Sequence, residues 1–391
     1  MTVTFAANFM NHHQLQFSSE MQRLTDGGYT FVASSPIYSE QKALGYEDMN
    51  MLPFVIRTYD GDSEYQKAIA KIRNDDIVIF GSCPNEWIEL RKSTGKPFLI
   101  YSERFFKKGT WRRFIPITYK KIYNRMLKFQ SENMAVICSS AYLPYDLNLL
   151  RANIKTYKWG YFPEVKTFND VDNLIKEKKK NSLLWVGRFV KLKHIEDAIY
   201  VAEKLKSQGY DFEFNIIGRG PLEENIRNSI TKKGLSNFVH LLGSMSPEEV
   251  RRNMEKSEIF MFTSDFHEGW GAVMNESMNS ACAVVASHAA GSVPYLINDG
   301  QNGFVYASKN KKQLFEKVKF LIDNPEKRCE ISKNAYHTMT DKWNATVATE
   351  RLYNIISAIV GGKDVPLYLD GPCSEAKNLK PTYKEQFNDK K

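Results

Sequence analysis

Short apolar segments alternate with longer amphipathic segments along the chain, and this alternation predicts a series of strands and helices. In the first half, the apolar runs typical of buried strands are TVTFAAN, TFVASS, DIVIFGS, KPFLIYS and MAVICSS. Apolar residues at helical spacing occur among them, at 64–74, 84–93, 110–131 and 141–151. The first half therefore has the pattern of an α/β domain.

The second half repeats the alternation more regularly. Its strand candidates are SLLWVGR, FEFNIIG, FVHLLGS, EIFMFTS, CAVVAS and GFVY. Helical patterns lie near 194–208, 221–234, 247–256, 271–281 and 310–322. A strand–helix series of this kind predicts parallel sheets with helices on both faces.

A polar and charged segment, NDVDNLIKEKKKN, separates the two halves at 169–181. A length of 391 residues allows two domains, each with a substantial core. We therefore predict the α/β class, with two Rossmann-like parallel-sheet domains facing across a cleft. The first domain is assigned to residues 1–168 and the second to residues 169–345.

Composition narrows the class of protein. The chain is 42% hydrophobic and 13% aromatic, which is ordinary for a folded protein and excludes disorder as its main state. Five scattered cysteines form no CxxC pair, which favours a reducing compartment and argues against a zinc site. Apolar runs all fall short of the roughly 20 residues of a membrane span, so we expect a cytoplasmic protein.

The net charge of +9 is concentrated in one segment. Between Arg104 and Ser131 the sequence holds nine Lys or Arg residues, many aromatic residues and no acid. One interpretation is that 104–129 forms a peripheral contact with the anionic inner face of the cell membrane. The other is a solvated helix whose aromatic side chains pack inward. Nucleic acid is not expected as a partner, because no recognition motif accompanies the charge.

Two carboxylates stand where a strand passes into a helix. Glu268 follows the strand EIFMFTS in a glycine-bearing loop, and Glu276 lies inside the next helical pattern. Backbone N–H groups of Gly271, Ala272 and Val273, at the start of that helix, favour phosphate oxygens. Because carboxylates repel phosphate, the two glutamates are suited to accept hydrogen bonds from hydroxyl groups on either side of a diphosphate. Glutamates at this spacing also occur by chance.

Two cations and two glycines follow other strands of the same half. Arg188 ends the segment SLLWVGR and Lys193 follows five residues later, positions that suit a diphosphate. Gly218 and Gly220 end another strand and let the backbone approach a ligand closely. Each feature alone has an ordinary explanation, a solvated cation or a tight turn. Their joint order at successive strand ends favours a nucleotide sugar as ligand.

These blocks resemble the donor half of retaining glycosyltransferases of family 4, which have the GT-B fold. The resemblance covers about 181–345 and is specific as an ordered set. The matching residues are the V-G-R…K block (Val186, Gly187, Arg188, Lys193), the G-x-G-P block (Gly218, Gly220, Pro221), the pair Glu268 and Glu276, and the block Gly291, Pro294, Asp299, Gly300, Asn302, Gly303 and Phe304.

The resemblance implies a metal-independent hexosyltransferase without a cofactor. It would move a hexose from a nucleotide-diphosphate sugar to a glycan or lipid-linked acceptor in surface-polysaccharide or capsule biosynthesis. A UDP-sugar is favoured as donor, and GDP-mannose is the second choice. The first domain would then bind the acceptor and the second the donor. Residues 346–391 would return to the first domain, because 341–354 resembles the helix that crosses back in this family.

The resemblance also implies individual roles. Arg188 and Lys193 would hold the donor diphosphate, Glu276 the ribose, and Glu268 the transferred sugar. Arg188, Lys193 and Glu268 are therefore the expected catalytic residues. The expected donor contacts are Gly187, Gly218, Gly220, Gly271, Ala272, Val273 and Glu276.

The first half matches the family weakly, and two positions of the second half depart from it. His194 stands where glycine is common, and Tyr295 stands where glutamate often occurs, so the donor stays open. In the first half, candidate contacts to acceptor or phosphate are His12, His13, Glu103 and Arg104. Asp60-Gly61-Asp62 resembles a metal-binding D-x-D, but its composition is typical of a turn.

Two other functions fit the same architecture. A nucleotide-sugar epimerase would need proton-shuttling carboxylates and histidines and no membrane surface. A non-catalytic nucleotide-sugar-binding partner subunit would tolerate the loss of Arg188, Lys193, Glu268 or Glu276, and all four are present. The transferase is therefore the leading hypothesis.

Overall fold

The computed structural model describes residues 1–38, 47–383 and 386, and the chain divides into two compact units. The first unit holds Met1–Glu164 and Trp343–Leu379, and the second begins at Val165 and runs to Lys342. Residues 380–383 group with the second unit, whereas 346–391 were predicted to return whole to the first. The physical reason is Tyr383, whose hydroxyl donates to the Val305 carbonyl at 3.2 Å.

A seven-stranded parallel sheet forms the centre of the first unit in the described chain. Its order is β3-β2-β1-β4-β5-β6-β7, so the direction in which successive strands are added reverses between β1 and β4. Buried and mostly apolar residues fill β1, β2, β4 and β6, as expected for strands covered on both faces. The strands are β1 (Val3–Ala7), β2 (Tyr29–Ala33), β3 (Val55–Arg57), β4 (Ile77–Phe80), β5 (Phe98–Ser102), β6 (Met134–Cys138) and β7 (Lys155–Lys158).

In the part of the first unit that the structure describes, the helices between these strands are α1 (His12–Leu24), α2 (Asp62–Asn74), α3 (Asn85–Ser93), α4 (Pro116–Arg125) and α5 (Leu143–Leu149). The single helix predicted for 110–131 is wrong. The segment instead forms a 3₁₀ turn, then α4, then a second 3₁₀ turn. Pro116 has no N–H to continue a helix and so begins α4, and Met126 leaves the helical region at φ −141°.

The second unit contains a six-stranded parallel sheet of order β10-β9-β8-β11-β12-β13 among the described residues. Its strands are β8 (Lys179–Val186), β9 (Glu213–Ile217), β10 (Val239–Gly243), β11 (Ser257–Phe262), β12 (Ala283–Ser287) and β13 (Phe304–Tyr306). Its helices are α6 (Val171–Lys176), α7 (Ile195–Ser207), α8 (Glu223–Lys232), α9 (Pro247–Lys256), α10 (Val273–Asn279), α11 (Val293–Leu296), α12 (Lys311–Asp323) and α13 (Pro325–His337). The predicted class, parallel sheets in an α/β chain, is confirmed.

A return segment completes the first unit. Helix α14 (Ala345–Val360) packs against α1, which confirms the predicted crossing of a late helix to the first domain. Beyond it, residues 373–376, which we call the C-terminal strap, pair with the edge strand β7. The Lys158 N–H donates to the Ser374 carbonyl and the Cys373 N–H to the Lys158 carbonyl, both at 2.8 Å. The strap thus covers backbone groups that an edge strand otherwise exposes.

No helix in the described part of the chain combines the length and the apolar character needed to cross a membrane.

Candidate active site

Three loops of the second unit meet at the carboxyl ends of β8, β9 and β11. Parallel strands bring their carboxyl ends to one edge of the sheet, which is where α/β proteins bind ligands. The β8 loop bonds to the β9 loop, because the Phe189 N–H donates to the Arg219 carbonyl at 2.8 Å. It also bonds to the β11 loop, since the Asp265 N–H donates to the Leu192 carbonyl at 2.9 Å. The loops therefore form one connected framework.

Gly218 and Gly220 make this framework possible. A Cβ on Gly218 would lie 1.9 Å from the Gly187 carbonyl oxygen, and one on Gly220 would lie 2.7 Å from the Phe189 carbonyl oxygen. Both residues also have positive φ angles, +137° and +157°. The close approach seen here is between two protein loops, where sequence analysis had expected an approach to ligand. The glycines thus hold the loop that carries Arg188.

The two predicted cations differ in their surroundings. The Arg188 side chain is exposed and makes no ion pair within the described residues. The Lys193 ammonium forms an ion pair with Glu268, and each of these side chains is 15% exposed. The Ser264 hydroxyl donates to the same carboxylate at 2.9 Å. The structure thus joins Lys193 and Glu268, which are 75 positions apart in sequence.

His194 has a left-handed backbone, with φ 46° and ψ 47°. Glycine adopts this conformation without strain, which explains why glycine suits the position. The imidazole lies between two carboxylates, with Nδ1 at 2.8 Å from Glu196 and Nε2 at 3.1 Å from Asp265. Hydrogen bonding to Glu196, and then to Asp265, raises the pKa of His194 to about 9. The imidazolium form is flanked by these two carboxylates, which offset its positive charge beside Lys193.

Asp265 connects His194 to the loop of Glu268, and sequence analysis missed it. Besides His194, it accepts hydrogen bonds from the backbone N–H and from Nδ1 of His267, both at 2.9 Å. The sequence contains one indication of this contact, which is the histidine at position 194. A residue other than glycine needs a partner to hold a left-handed backbone.

Glu276 lies in the first turns of α10 as a half-buried carboxylate. Burial raises its pKa, and the nearby Arg251 guanidinium opposes this shift. Arg251, also missed from sequence, donates to the Glu276 backbone carbonyl at 3.1 Å and to the Asn279 side chain. Among the described residues, no side chain donates a hydrogen bond to the Glu276 carboxylate. The group is thus positioned by its helix and retains its capacity to accept.

The loop before α10 depends on glycine. Gly271 has φ +82°, and a Cβ there would lie 2.3 Å from the Phe262 ring. Ala272 is the residue preceding α10, and its side chain makes no capping hydrogen bond to the helix. Backbone N–H groups at Ala272 and Val273 thus begin a helix without a side-chain cap.

The last block of the family pattern builds a turn before β13. Asn302 donates to the Leu296 carbonyl at 2.9 Å and accepts from the Asn298 N–H at 2.8 Å. Asp299 accepts from the Val305 N–H at 2.7 Å. The block therefore stabilises the end of the sheet. Tyr295, the second departure from the family, lies 6.2 Å from the Trp270 ring between centroids.

The four residues of the first unit proposed as acceptor or phosphate contacts have different surroundings in the structure. His13 and Glu103 line one cavity of about 400 Å³, and His12 is not among its lining residues. Arg104 is 5% exposed and forms an ion pair with Asp146 at 3.1 Å, which leaves its guanidinium little surface for a ligand. This pairing could not be anticipated from the sequence, because the two residues are 42 positions apart.

The Asp60-Gly61-Asp62 segment has local structural contacts. Asp60 forms an ion pair with Arg57 at 2.5 Å, and Asp62 is the first residue of α2. Across the described residues, no three or more His, Cys, Asp or Glu side chains group closely enough to hold a metal ion.

The family comparison matches mainly the second unit of the chain. Residues 166–338 match the family described as Glycosyl transferases group 1. An uncharacterized glycosyltransferase of Methanocaldococcus jannaschii is 32% identical over 51% of this chain and 52% of its own. The alpha-D-kanosaminyltransferase of Streptomyces kanamyceticus is 30% identical over 45% of each chain. The chain thus spans about half the length of the curated relatives it matches.

Solved structures extend the likeness over both units. Anabaena HepE, crystallised with UDP, superposes with a TM-score of 0.69 over 92% of this chain and 100% of its own, at 14% identity. TarM superposes with a TM-score of 0.64 over 91% and 98% of the two chains, at 13% identity. Similarity at this level of identity establishes the fold. The chain has the GT-B fold, and its residues 166–338 are similar to the Glycosyl transferases group 1 family.

Proposed function

We propose that the protein is a retaining hexosyltransferase that uses a UDP-sugar donor, with GDP-mannose as the second candidate. The acceptor is a glycan or a lipid-linked glycan of a polysaccharide pathway. The observation that carries this proposal is the framework of loops after β8, β9 and β11, which brings Lys193 and Glu268 together. Relatives support it, since HepE has been crystallised with UDP-glucose and CapM of Staphylococcus aureus is a capsular polysaccharide glycosyltransferase.

Each donor group is assigned to a residue of the second unit. Arg188 and Lys193 bind the diphosphate, together with backbone N–H groups of Gly271, Ala272 and Val273. The Glu276 carboxylate accepts from the ribose hydroxyls, and Glu268 accepts from a hydroxyl of the hexose. Gly187, Gly218 and Gly220 shape the loops that present these groups.

The Lys193–Glu268 ion pair has a specific role in this arrangement. Its ammonium neutralises Glu268, so the carboxylate can stand near a diphosphate without strong repulsion. The same carboxylate fixes the lysine side chain, which reduces the entropy lost when phosphate binds.

The reaction breaks the bond between the anomeric carbon and the diphosphate oxygen. The acceptor hydroxyl forms the new bond on the same face, and its proton passes to an oxygen of the leaving diphosphate. The protein therefore contributes positioning and stabilisation of the charge that develops on the leaving group. Arg188 and Lys193 supply that stabilisation.

Donor binding tests the proposal first. We expect one nucleotide sugar from a panel of UDP-, GDP- and dTDP-sugars to raise the unfolding temperature with EDTA present. A ligand at a hundred times its dissociation constant stabilises the folded state by about 2.7 kcal/mol, so the shift is measurable. A panel without any shift, with EDTA and again with Mg²⁺ and Mn²⁺, would contradict the donor assignment.

Variants then separate binding from catalysis. Lys193→Ala and Glu276→Ala should each reduce donor affinity and turnover, and Asp62→Ala on α2 serves as the control. Full activity of the Lys193→Ala, Glu276→Ala double variant would overturn the assigned roles. Donor binding without transfer to any glycan acceptor would favour the non-catalytic partner subunit, and strict dependence on a divalent metal would contradict a metal-independent enzyme.

We also propose that part of segment 104–129 contacts an anionic membrane. Ile117, Phe114 and Trp111 are 76%, 73% and 59% exposed, so these side chains do not pack inward. Lys120 and Lys121 are exposed on the same stretch of α4. Cations beside exposed aromatic and aliphatic side chains suit the surface of an anionic bilayer.

Only part of the basic segment is available to lipid. The cations at both ends of the segment are engaged within the protein: Arg104 with Asp146, Lys107 with Glu103, Lys128 with Glu89, and Arg125 with backbone carbonyls. The contact is therefore assigned to residues 108–123.

Vesicle co-sedimentation tests this contact. The protein should bind phosphatidylcholine vesicles that contain phosphatidylglycerol and not those that lack it. Lys120→Ala with Lys121→Ala should weaken binding about 30-fold, from about 1 kcal/mol per lysine. Trp111→Ala with Phe114→Ala should also weaken it. Leu367→Ala with Leu369→Ala, at 93% and 103% exposure, is the matched control. Equal binding to both vesicle types would exclude the proposed contact.

A further inference from the structure

Residues 380–383, which we call the tail, follow the first unit in sequence and group with the second. The Tyr383 hydroxyl attaches this tail, because it donates to the Val305 carbonyl on β13 at 3.2 Å and accepts from the Gln313 amide on α12 at 2.6 Å. Gln313 is itself fixed, since its side-chain oxygen accepts from the Ala307 N–H at 2.7 Å. The Tyr383 ring is therefore held at the carboxyl end of β13.

The imidazole of His288, just after β12, packs against the Tyr383 ring. The two ring centroids are 5.7 Å apart and the interplanar angle is 77°, which is an edge-to-face contact. The His288 Nδ1 accepts from the Ser308 N–H at 3.0 Å, so this nitrogen carries no proton. Burial also lowers the pKa of His288 to about 4. The imidazole is thus neutral near pH 7, and its orientation is fixed by the backbone.

Phe266 continues this row of rings into the β11 loop. Its centroid lies 5.3 Å from that of His288, with an interplanar angle of 87°. Phe266 stands inside the turn that leads to Glu268, because the Glu268 N–H donates to the Asp265 carbonyl at 3.0 Å. A shift of the Phe266 ring therefore moves the turn. Tyr383, His288 and Phe266 thus connect the tail to the loop of the residue assigned to the hexose.

Polar contacts hold the same loop from the side of β8. Asp265 bonds to His194 at 3.1 Å, and Glu268 forms its ion pair with Lys193. The rings add an apolar contact at Phe266, between these two polar ones. Aromatic pairs in edge-to-face geometry change an equilibrium by about three- to tenfold. A tail that only covered the end of β13 would leave the β11 loop unchanged, so the two roles can be separated by experiment.

We propose that Tyr383 is a positioning residue, which holds the β11 loop through His288 and Phe266 and so raises the affinity for the hexose part of the donor. The inference rests on the proposed function in one respect, that Glu268 accepts from a hexose hydroxyl. The tail is thereby part of the support of the donor site.

Hydrogen–deuterium exchange of the ligand-free full chain tests the positioning role. The N–H groups of Asp265, His267 and Glu268 are hydrogen-bonded, so their exchange reports the opening of the β11 loop. Tyr383→Ala should speed exchange in a peptide that covers 264–272 by about three- to tenfold. Tyr383→Phe keeps the ring that packs on the imidazole and should stay within about twofold of the wild type.

Three further variants make the result specific. Tyr368→Ala removes another ring of the return segment, which lies 4.6 Å from the Arg351 guanidinium in the first unit, and should leave exchange in the β11 loop unchanged. A chain shortened to end at Leu379 lacks the tail and should behave like Tyr383→Ala, which keeps the test decisive if that variant does not fold. In a Phe266→Ala background, Tyr383→Ala should have no additional effect, because the row of rings is already interrupted.

Calorimetric titration measures the consequence for the donor. The ligands are UDP-glucose, UDP-galactose, UDP-N-acetylglucosamine and GDP-mannose, each compared with its nucleoside diphosphate alone. For the nucleotide sugar that binds the wild type most tightly, Tyr383→Ala should weaken binding about three- to tenfold. Affinity for the diphosphate should stay within about twofold, because that ligand lacks the hexose, and Tyr383→Phe should restore the binding of the nucleotide sugar.

Three results would overturn the inference: unchanged exchange of the β11 loop in Tyr383→Ala and in the shortened chain, unchanged nucleotide-sugar affinity in these variants, or equal weakening of the nucleotide sugar and the diphosphate. Donor binding by the wild type with unchanged exchange in the variants refutes the positioning role alone. Faster exchange in the variants, with no nucleotide sugar bound by the wild type, refutes the donor assignment and leaves the positioning of the β11 loop by Tyr383 supported.

Discussion

At the scale of single residues, Glu276 combines two properties that usually conflict. Its carboxylate is half buried, and no described side chain donates a hydrogen bond to it, so the protein solvates the charge poorly. An oxygen that retains its accepting capacity is also what a ribose-binding role requires. Stability and donor affinity should therefore respond in opposite directions when this residue changes.

Glu276→Gln should stabilise the protein at pH 7 and weaken donor binding. Because burial raises the pKa of the folded-state carboxyl, the wild-type protein loses stability as pH rises through that pKa. The variant does not titrate, so its advantage should be present at pH 7 and should vanish below about pH 4, where the unfolded carboxyl is also protonated. Thermal unfolding across this pH range measures the first effect. UDP-sugar affinity should fall about tenfold or more, as for a hydrogen bond to a charged group. Lower stability of the variant at pH 7 would contradict this account.

His194 predicts a pH dependence of the same direction at higher pH, because its folded-state pKa is also raised. Its pKa is raised to about 9 by Glu196 and Asp265, so its stabilising effect is complete below the unfolded value of about 6.5 and is lost as pH rises through about 9. His194→Asn keeps a residue that tolerates the left-handed backbone but lacks the charge. The difference in unfolding midpoint between wild type and variant should be largest at pH 6 and should shrink by pH 10. A constant difference would exclude the charged pair as its source.

At the scale of residues, the sequence marks positions where one residue type follows a strand end. Lys193 and Glu268 are two such positions, and the structure places them in contact, whereas the roles assigned to them and to Glu276 stay predictions. Asp265 and Arg251 were missed because their importance arises from contacts with His194 and Asn279, which the linear pattern does not encode.

At the scale of elements, the β8 and β9 loops show how tightly two segments pack. Gly218→Ala would place a Cβ 1.9 Å from the Gly187 carbonyl oxygen, so the loops must separate. We expect a loss of about 2–5 kcal/mol in the free energy of unfolding, from overpacking and backbone strain together. Donor affinity should fall too, because the displaced loop carries Arg188.

Gly209→Ala is the matched control for that substitution. Gly209 has φ +78°, and a Cβ there meets no atom within 4 Å. Only backbone strain of about 1–2 kcal/mol should result, with donor affinity unchanged. Urea unfolding and donor titration of both variants give the comparison. Equal losses for the two would show that strain, and not the approach of the two loops, explains the requirement for glycine at 218.

The boundaries of the elements agree with the sequence pattern, except where contacts with neighbouring elements determine the structure. Strands β3 and β7 were not predicted, because each is short, and β7 (KTYK) has a largely polar sequence that is partly exposed. Their strand conformation depends on pairing with β2 and β6. Conversely, Pro116 was visible in the sequence, and the apolar periodicity around it suggested one long helix where the proline starts a new one.

At the scale of the whole molecule, the C-terminal strap protects the edge of the first sheet. A chain shortened to end at Gly371 lacks the strap and leaves β7 with unpaired backbone groups, so it should self-associate as concentration rises. A chain shortened to end at Leu379 keeps residues 373–376 and should stay in the wild-type state. Analytical ultracentrifugation at several concentrations compares them. Identical sedimentation of the two truncated chains would show that the strap does not protect the sheet edge from self-association.

The return segment also affects the order in which the two units can fold during synthesis. Helix α14 and the strap belong to the first unit, yet the ribosome makes them only after residues 165–342. Domains usually fold as they emerge, N-terminal first. Here the second unit is the one whose main segment is continuous, so it can complete its fold first. Until α14 and the strap have been synthesised, α1 and β7 of the first unit stay uncovered. We expect chaperones to recognise the nascent chain at this stage.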